Sequence, residues 1–345
     1  MSKIMTNLSS GGGFSASTNE ALRIAFTITI CMLAGKLLDL DSAVYLALYP
    51  SIVMTKAKDY SLKGLVKMFT PTFLAASTAL LVVEVFQDHP FIVWTISLIF
   101  IDQLRRRANT PAKLGGMLMP TFNWILVVVF AQTTTMDMPD RIREILLSMI
   151  ITIIVTKVMV WIFPMKKGNK PPVFTPQYVT YQNRLVSMGL IGCGLGFLMI
   201  VDLISATFCM VPVIAAATQF SRSKFIDVVE RRFITQVGGC AVAVIFTLLM
   251  AGHQNIIGYY ALGLGLTVFI IARLMTTSEG VSRDIHGDAL LATMLPIQLY
   301  IGNNTLGLES TFLRAWELTV TLGILFIVYT QVTSRCSFQR EFVGH

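Results

Sequence analysis

The chain has 345 residues, of which 54% are hydrophobic and only 13% are Asp, Glu, Lys or Arg. An average soluble domain carries about 25% charged residues, so this chain has too little polar surface to cover a single soluble core. Its net charge of +8 would fit a nucleic-acid partner only if the basic side chains shared one face, whereas they form short clusters between apolar stretches. The composition therefore predicts an all-α polytopic membrane protein that binds the lipid bilayer and no nucleic acid.

Residues 1–20 are polar and rich in Gly and Ser, without the pattern of a cleaved signal peptide, and we expect a flexible cytoplasmic segment. A membrane span needs about 20 mostly apolar residues, and the stretches between charges predict twelve helices. The helices near 42–56 and 89–104 are short, which leaves open whether they cross completely. The twelve lie near 21–38, 42–56, 64–86, 89–104, 113–133, 142–164, 184–202, 204–220, 228–250, 254–273, 286–303 and 311–333.

The charges of the loops alternate in sign along the chain. If the N-terminus is cytoplasmic, basic clusters near 56–67, 105–113, 166–170 and 222–232 all lie inside, and the opposite loops carry mainly acids such as Asp39. Basic residues mark cytoplasmic loops. The pattern predicts a multi-pass protein of a bacterial inner membrane with both termini cytoplasmic.

The second half of the sequence repeats features of the first at an offset of roughly 161–176 residues. An even number of spans in each half would give both repeats the same orientation. We therefore predict two parallel six-helix repeats, 21–164 and 184–333, joined by a cytoplasmic linker, 165–183, and followed by a cytoplasmic tail, 334–345. The matched pairs are Arg23 with Arg184, Pro50 with Pro212, Lys67 with Arg232, Pro120 with Pro296, and Arg141-x-x-Glu144 with Arg314-x-x-Glu317.

Two of these segments carry a family resemblance. The run from Arg232 to Gly239 and the run from Arg314 to Gly323 resemble the fusaric-acid-resistance and aromatic-acid-exporter superfamily. The nearest in form are its small bacterial inner-membrane members of unassigned function, which lack the large soluble domain. The resemblance implies export of aromatic carboxylic acids, often beside a periplasmic adaptor protein, while plant relatives are anion channels. The short linker between the halves departs from the larger exporters.

Prolines at corresponding positions nominate a substrate path. Pro50 and Pro212 lie in short predicted helices, and Pro120 and Pro296 lie in the predicted fifth and eleventh helices. A proline in a membrane helix frees a backbone carbonyl that protein or cavity water must satisfy, and interrupted helices at matching places in both halves point to a transport site. A kink used only for packing is the alternative.

The predicted fifth and eleventh helices also carry the polar residues Asn123, Trp124, Gln298 and Tyr300. Amides in hydrocarbon are costly unless they find partners, so these side chains should face the protein interior. Aromatic rings beside amide donors would suit an aromatic carboxylate. The same residues could equally serve as hydrogen-bonded contacts between helices.

Charged residues inside apolar stretches are functional hypotheses. Lys157 could hold a substrate anion, or its long side chain could extend to the cytoplasmic face. Glu84 and Asp102 are proton-coupling candidates, with solvated helix ends as the alternative. Asp284 and Asp288 cluster near the predicted eleventh helix.

No nucleotide-binding loop and no set of metal-ligand spacing occurs in the sequence, so we expect no enzyme activity, no cofactor and no metal site. The predicted function is proton-coupled export of small organic anions such as aromatic carboxylic acids. A passive anion channel and a non-transporting scaffold for a periplasmic adaptor are the alternatives. Assembly into a homo-oligomer is left open.

Overall fold

A computed structural model describes residues 15–57, 59–133, 138–164, 176, 178–201, 205–219, 222–253, 255–300 and 308–341. This part of the chain forms twelve α-helices and a 3₁₀ turn, Ser205–Cys209, which confirms the predicted all-helical class. The helices are α1 Ala16–Leu37, α2 Tyr45–Lys56, α3 Leu62–Val85, α4 Pro90–Arg107, α5 Pro111–Thr133, α6 Met138–Ile162, α7 Tyr181–Val201, α8 Met210–Ala217, α9 Arg222–Leu249, α10 Ile257–Thr277, α11 Gly280–Tyr300 and α12 Leu308–Glu341.

Local sequence signals set several helix ends. The Ser15 and Ser61 side chains accept hydrogen bonds from the backbone N–H groups of Thr18 and Gly64, which caps α1 and α3. Pro90 begins α4, where its missing N–H costs nothing. The helices α9 and α11 begin six residues before their predicted starts, and α12 continues beyond its predicted end at 333. Most of the predicted linker and the last four residues lie outside the described part of the chain.

Seven helices are long and apolar enough to cross a membrane, namely α3, α5, α6, α7, α9, α10 and α12. Their outer faces carry large apolar side chains that are more than half exposed, such as Leu81, Trp161, Ile200 and Leu262. A soluble protein would not leave so much contiguous apolar surface in water. The chain is therefore a multi-pass membrane protein. Of the remaining helices, α1, α4 and α11 each carry three or more charged residues.

The helices α2 and α8 are short and lie inside the molecule. With 12 and 8 residues, they are about 18 and 12 Å long, well short of the roughly 30 Å of hydrocarbon in a bilayer. Every residue of α2 from Tyr45 to Met54 is buried, and all of α8 is buried apart from Ala215. These two helices form the centre of the fold and do not cross it alone.

The packing partners of the helices are spread over the whole chain. Within residues 15–164, α3 packs against α5 and α6; within residues 178–341, α9 packs against α11 and α12. The most extensive contacts between the two parts are those of α1 with α10, α4 with α7, α2 with α11, and α5 with α8, and α5 also touches α7 and the 3₁₀ turn. The central helices α2 and α8 therefore each rest on a long helix from the other part of the chain.

The backbones of α9 and α11 approach each other closely where Gly239 of α9 faces Ala292 of α11. A Cβ atom at Gly239 would lie 2.5 Å from the Cβ of Ala292 and 2.8 Å from its backbone carbonyl carbon. Gly239→Ala should lower the free energy of unfolding by about 1–3 kcal/mol, because packed backbone cannot move aside cheaply. The measurement is the denaturation midpoint of the purified protein in detergent.

The adjacent glycine supplies the control. Nothing lies within 4 Å of a Cβ atom at Gly238, so Gly238→Ala should be neutral or stabilise α9 by up to about 1 kcal/mol through helix propensity. Similar losses in both variants would contradict the close contact between α9 and α11.

Candidate functional site

The four predicted prolines are all buried and lie in the four helices at the centre of the fold. Pro50, Pro120 and Pro296 are inside α2, α5 and α11, where each leaves a backbone carbonyl of the preceding turn without its usual donor. Pro212 differs because it lies in the first turn of α8, where no intrahelical bond is lost. The irregular backbone beside it is the 3₁₀ turn that leads into α8.

Asn123 connects α5 to α2. The Tyr49 hydroxyl donates to Asn123 Oδ1 at 3.0 Å, and Asn123 Nδ2 donates to the Met119 carbonyl at 3.1 Å. Both side chains are fully buried. The amide therefore has a donor and an acceptor partner in the interior, as a buried polar group requires.

Trp124 points to a different neighbour. Its Nε1 donates to Ser97 Oγ of α4 at 2.8 Å, and its ring stacks on Phe100 with centroids 4.0 Å apart. Successive residues on an α-helix point about 100° apart. From α5, Asn123 therefore contacts α2 and Trp124 contacts α4, so the two side chains do not form one cluster of aromatic and amide groups.

Gln298 and Tyr300 are also separated from each other. The Gln298 amide nitrogen lies 3.0 Å from where a Cβ atom of Gly35 would stand, so it packs against α1. Tyr300, at the end of α11, interacts electrostatically with Arg314 of α12. The structure brings these residues into the interior but does not gather them into a single pocket.

The predicted charged residues lie at the periphery. Lys157 is exposed on α6, and Glu84 is exposed near the end of α3. Hydrogen bonds from the backbone N–H and hydroxyl of Ser61 lower the pKa of Asp59 in the loop before α3, and the charge of Lys157 contributes to the same shift. Lys157 therefore lies near the loop before α3, where its long side chain can extend to solvent. That this loop faces the cytoplasm stays a prediction.

Asp102 takes part in an ion pair. Both of its carboxylate oxygens accept from Arg184 of α7, one of them from Nε at 2.8 Å. The pair lines an open pocket of about 380 Å³ between α4 and α7. Asp102 therefore joins helices from the two parts of the chain.

A second ion-pair cluster was not expected from the sequence. Asp288 is buried in α11 and lies 3.4 Å from Lys56 Nζ of α2 and 3.3 Å from an Arg232 nitrogen of α9. Asp284, one turn earlier, lies 3.5 Å from Lys56. Because α11 starts at Gly280, Asp284 and Asp288 lie one turn apart on the same helix face. The predicted helix began at 286 and left Asp284 outside it, so the sequence did not predict that the two carboxylates act together.

The first Arg-x-x-Glu motif holds the non-helical segment before α2. The buried carboxylate of Glu144 accepts from the backbone N–H groups of Asp41 at 3.1 Å and Ser42 at 2.8 Å. Arg141 Nε donates to Ser42 Oγ at 3.3 Å, and its guanidinium lies 3.9 Å from the centroid of the Phe130 ring. The motif therefore fixes the point at which the chain turns into the central helix.

The second motif, at the start of α12, lies beside the 3₁₀ turn before α8. Arg314 is only 1% exposed, and its guanidinium lies 5.2 Å from the Phe208 ring centroid. Its three nitrogens make no well-aligned hydrogen bond within the described part of the chain, although the Tyr300 hydroxyl and the Cys240 thiol interact with the guanidinium. In the sequence Arg314 marks the duplication and the family resemblance, and nothing in the motif indicates that its side chain is buried.

Residues 20–159 match a family described as a protein of unknown function (DUF2955). The matched segment runs from α1 to α6 and includes Pro50, Pro120 and the first Arg-x-x-Glu motif. No curated protein matches the chain, and no solved structure matches it. Membership of the fusaric-acid-resistance superfamily stays a prediction.

Proposed function

We propose that the chain is a bacterial inner-membrane transporter that exports small organic anions, built from two six-helix repeats of the same orientation. The observation that carries the proposal is the pair of short buried helices α2 and α8, each packed on a proline-containing helix from the other half. Discontinuous helices of this kind line substrate paths in many transporters, because irregular backbone at membrane depth needs protein or cavity water around it.

The packing pattern supports the duplication. If α1 to α6 correspond to α7 to α12, the contact of α3 with α5 and α6 corresponds to that of α9 with α11 and α12. Contacts between the halves follow the same rule: α1–α10 corresponds to α7–α4, and α2–α11 corresponds to α8–α5. The two halves therefore contact each other through equivalent pairs of helices. Halves related in this way can rock against each other about a shared centre, which is the motion that alternating access requires.

The balance of buried charge supports an anionic substrate. Within the described residues, four arginines are buried, against two carboxylates. Buried charge is costly unless it is compensated, so an interior with excess positive charge favours an anion over a cation. The arginines are Arg23, Arg105, Arg141 and Arg314, and the carboxylates belong to Glu144 and Asp288.

The ion pairs between the halves suggest how one side of the path closes. Arg184 pairs with Asp102, Arg283 with Glu20, and Lys56 with Asp284 and Asp288. All are near the N-termini of odd-numbered helices or the C-termini of even-numbered ones, which alternate crossing would place on the cytoplasmic side. Breaking these pairs would let the halves separate there.

Proton coupling would act most directly through these same pairs. Protonating Asp102 or Asp288 would remove an attraction between the halves, whereas exposed Glu84 has no such effect in the described conformation. We therefore favour Asp102 and Asp288 as coupling carboxylates. The site of Pro50, Pro120, Pro212 and Pro296 remains the proposed centre of the path.

The test is efflux of a panel of aromatic and aliphatic acids from cells with and without the protein, at two external pH values. We expect faster efflux of at least one aromatic acid in cells that carry the protein, with a rate that depends on the pH gradient. A rate that follows membrane potential alone would favour the anion-channel alternative. Equal efflux from both strains for every acid would contradict transport of this panel and favour a scaffold.

A further inference from the structure

The buried guanidinium of Arg314 is not fully hydrogen-bonded. It is 1% exposed, and its Nε and both Nη atoms make no well-aligned hydrogen bond within the described residues, although the Tyr300 hydroxyl and the Cys240 thiol interact with the guanidinium. An uncompensated charge in a protein interior is strongly unfavourable, and ionisable groups at membrane depth usually mark a functional site. Glu317 supplies a carboxylate one turn later, and the guanidinium nitrogens keep donor capacity for a further acceptor.

Arg141, the corresponding arginine of the other half, makes a hydrogen bond that Arg314 lacks. Arg141 Nε donates to Ser42 Oγ, and Nη1 is its only nitrogen that is both buried and without a hydrogen bond within the described residues. Arg141 also lies 3.9 Å from an aromatic centroid, compared with 5.2 Å for Arg314. The arginine of the Arg-x-x-Glu motif thus makes a structural hydrogen bond in the first half, whereas the guanidinium N–H groups of Arg314 in the second half are available to a ligand.

A second donor faces the same position. The Tyr300 hydroxyl is buried, interacts with the Arg314 guanidinium and makes no other hydrogen bond within the described residues. Phe208 and the buried Cys209 and Cys240 add an apolar surround. A guanidinium fork next to a phenol hydroxyl matches the two oxygens of a carboxylate, and the surround suits an apolar body.

The carboxylate of Glu317 limits the charge of the ligand. It lies one turn after Arg314, has interactions of its own, and acts electrostatically on Tyr300 and Cys209. A dianion would be repelled by it more strongly than a monoanion. The neighbourhood therefore selects a ligand with one negative charge.

We infer that Arg314 and Tyr300 form a binding site for a small monocarboxylate with an apolar or aromatic body, beside the turn into α8. Only the role of this site as a substrate subsite rests on the proposed function, since binding itself does not require transport. The guanidinium would hold both carboxylate oxygens, and the Tyr300 hydroxyl would donate a further hydrogen bond to one of them.

The test uses the purified full chain in lipid nanodiscs, with benzoate as the probe and thermal unfolding and calorimetry as readouts. We expect benzoate to raise the melting temperature of the wild type. Arg314→Met should raise the melting temperature of the ligand-free protein, because a buried charge that is not fully hydrogen-bonded is removed. The same variant should bind benzoate at least about tenfold more weakly.

Three further variants sharpen the test. Arg141→Met should lower the melting temperature, because it removes a contact already made. Arg143→Met, at a side chain that is 79% exposed, should change neither the melting temperature nor binding. Arg314→Lys keeps the charge but loses the bidentate fork, so it should also weaken benzoate binding about tenfold. This variant tests the site if Arg314→Met does not fold.

Several results would overturn the site. Benzoate could stabilise the wild type and Arg314→Met equally, or Arg314→Met could destabilise the ligand-free protein as Arg141→Met does. A shift produced by chloride and not by benzoate would overturn the carboxylate class. Binding that depends on Arg314 without any flux would support the site and count against the transport proposal, whereas flux unchanged in Arg314→Met would remove its role as a subsite.

Discussion

Asp288→Asn is expected to lower the free energy of unfolding by about 3–5 kcal/mol, the usual loss when one partner of a buried ion pair is removed. Asp288 lies between Lys56 and Arg232, whose side chains belong to α2 and α9. The Arg232 side chain is only 11% exposed, so water cannot replace the lost carboxylate charge fully. Denaturant unfolding of the purified protein in detergent measures the change.

The neighbouring acid of the same cluster serves as the matched control. Asp284 also contacts Lys56, but its side chain is 59% exposed, and Asp284→Asn should cost less than about 1 kcal/mol. In an Asp288→Leu background, Arg232→Met should recover part of the lost stability, because the orphaned charge is then removed as well. Equal effects of Asp284→Asn and Asp288→Asn would contradict a buried bridge.

Glu144→Ala is expected to destabilise the protein by about 3 kcal/mol or more. The variant removes two charge-assisted hydrogen bonds, worth about 1.5–3 kcal/mol each, and leaves the N–H groups of Asp41 and Ser42 without their acceptor. Glu144→Gln should lose less, because one amide oxygen can still accept. The same denaturant assay measures the loss.

Glu84→Ala provides a comparison on an exposed helix face. A surface substitution of this kind should change the free energy of unfolding by no more than about 0.5 kcal/mol. If Glu144→Ala and Glu84→Ala had the same effect, the Arg141-x-x-Glu144 motif would not hold the segment before α2 in place.

The helices were predictable because apolar runs and loop charges are properties of the sequence alone. The central position of α2 and α8 was also within reach, since a buried helix shorter than the hydrocarbon thickness must rest on its neighbours. The exact start of α11 was not, because Arg283 and Asp284 made its first two turns look like a loop.

The grouping of polar residues could not be predicted from sequence proximity. Asn123 and Trp124 are adjacent in the chain, yet helical geometry alone sends them to different neighbours. The partners of Asp288 and Glu144 are more than fifty residues away or are backbone atoms of a distant loop. Long-range contacts of this kind carry no local signal, so the partners of these buried charges could not be predicted from the sequence alone.

Reconstitution tests the transport proposal most directly. The purified protein is placed in liposomes loaded with a radiolabelled aromatic acid such as benzoate, and efflux is followed under an imposed pH gradient with the membrane potential clamped at zero. The account predicts efflux well above that of protein-free liposomes and a rate that rises with the pH gradient. Efflux no faster than in protein-free liposomes, for every acid of the panel and at every gradient, would contradict it.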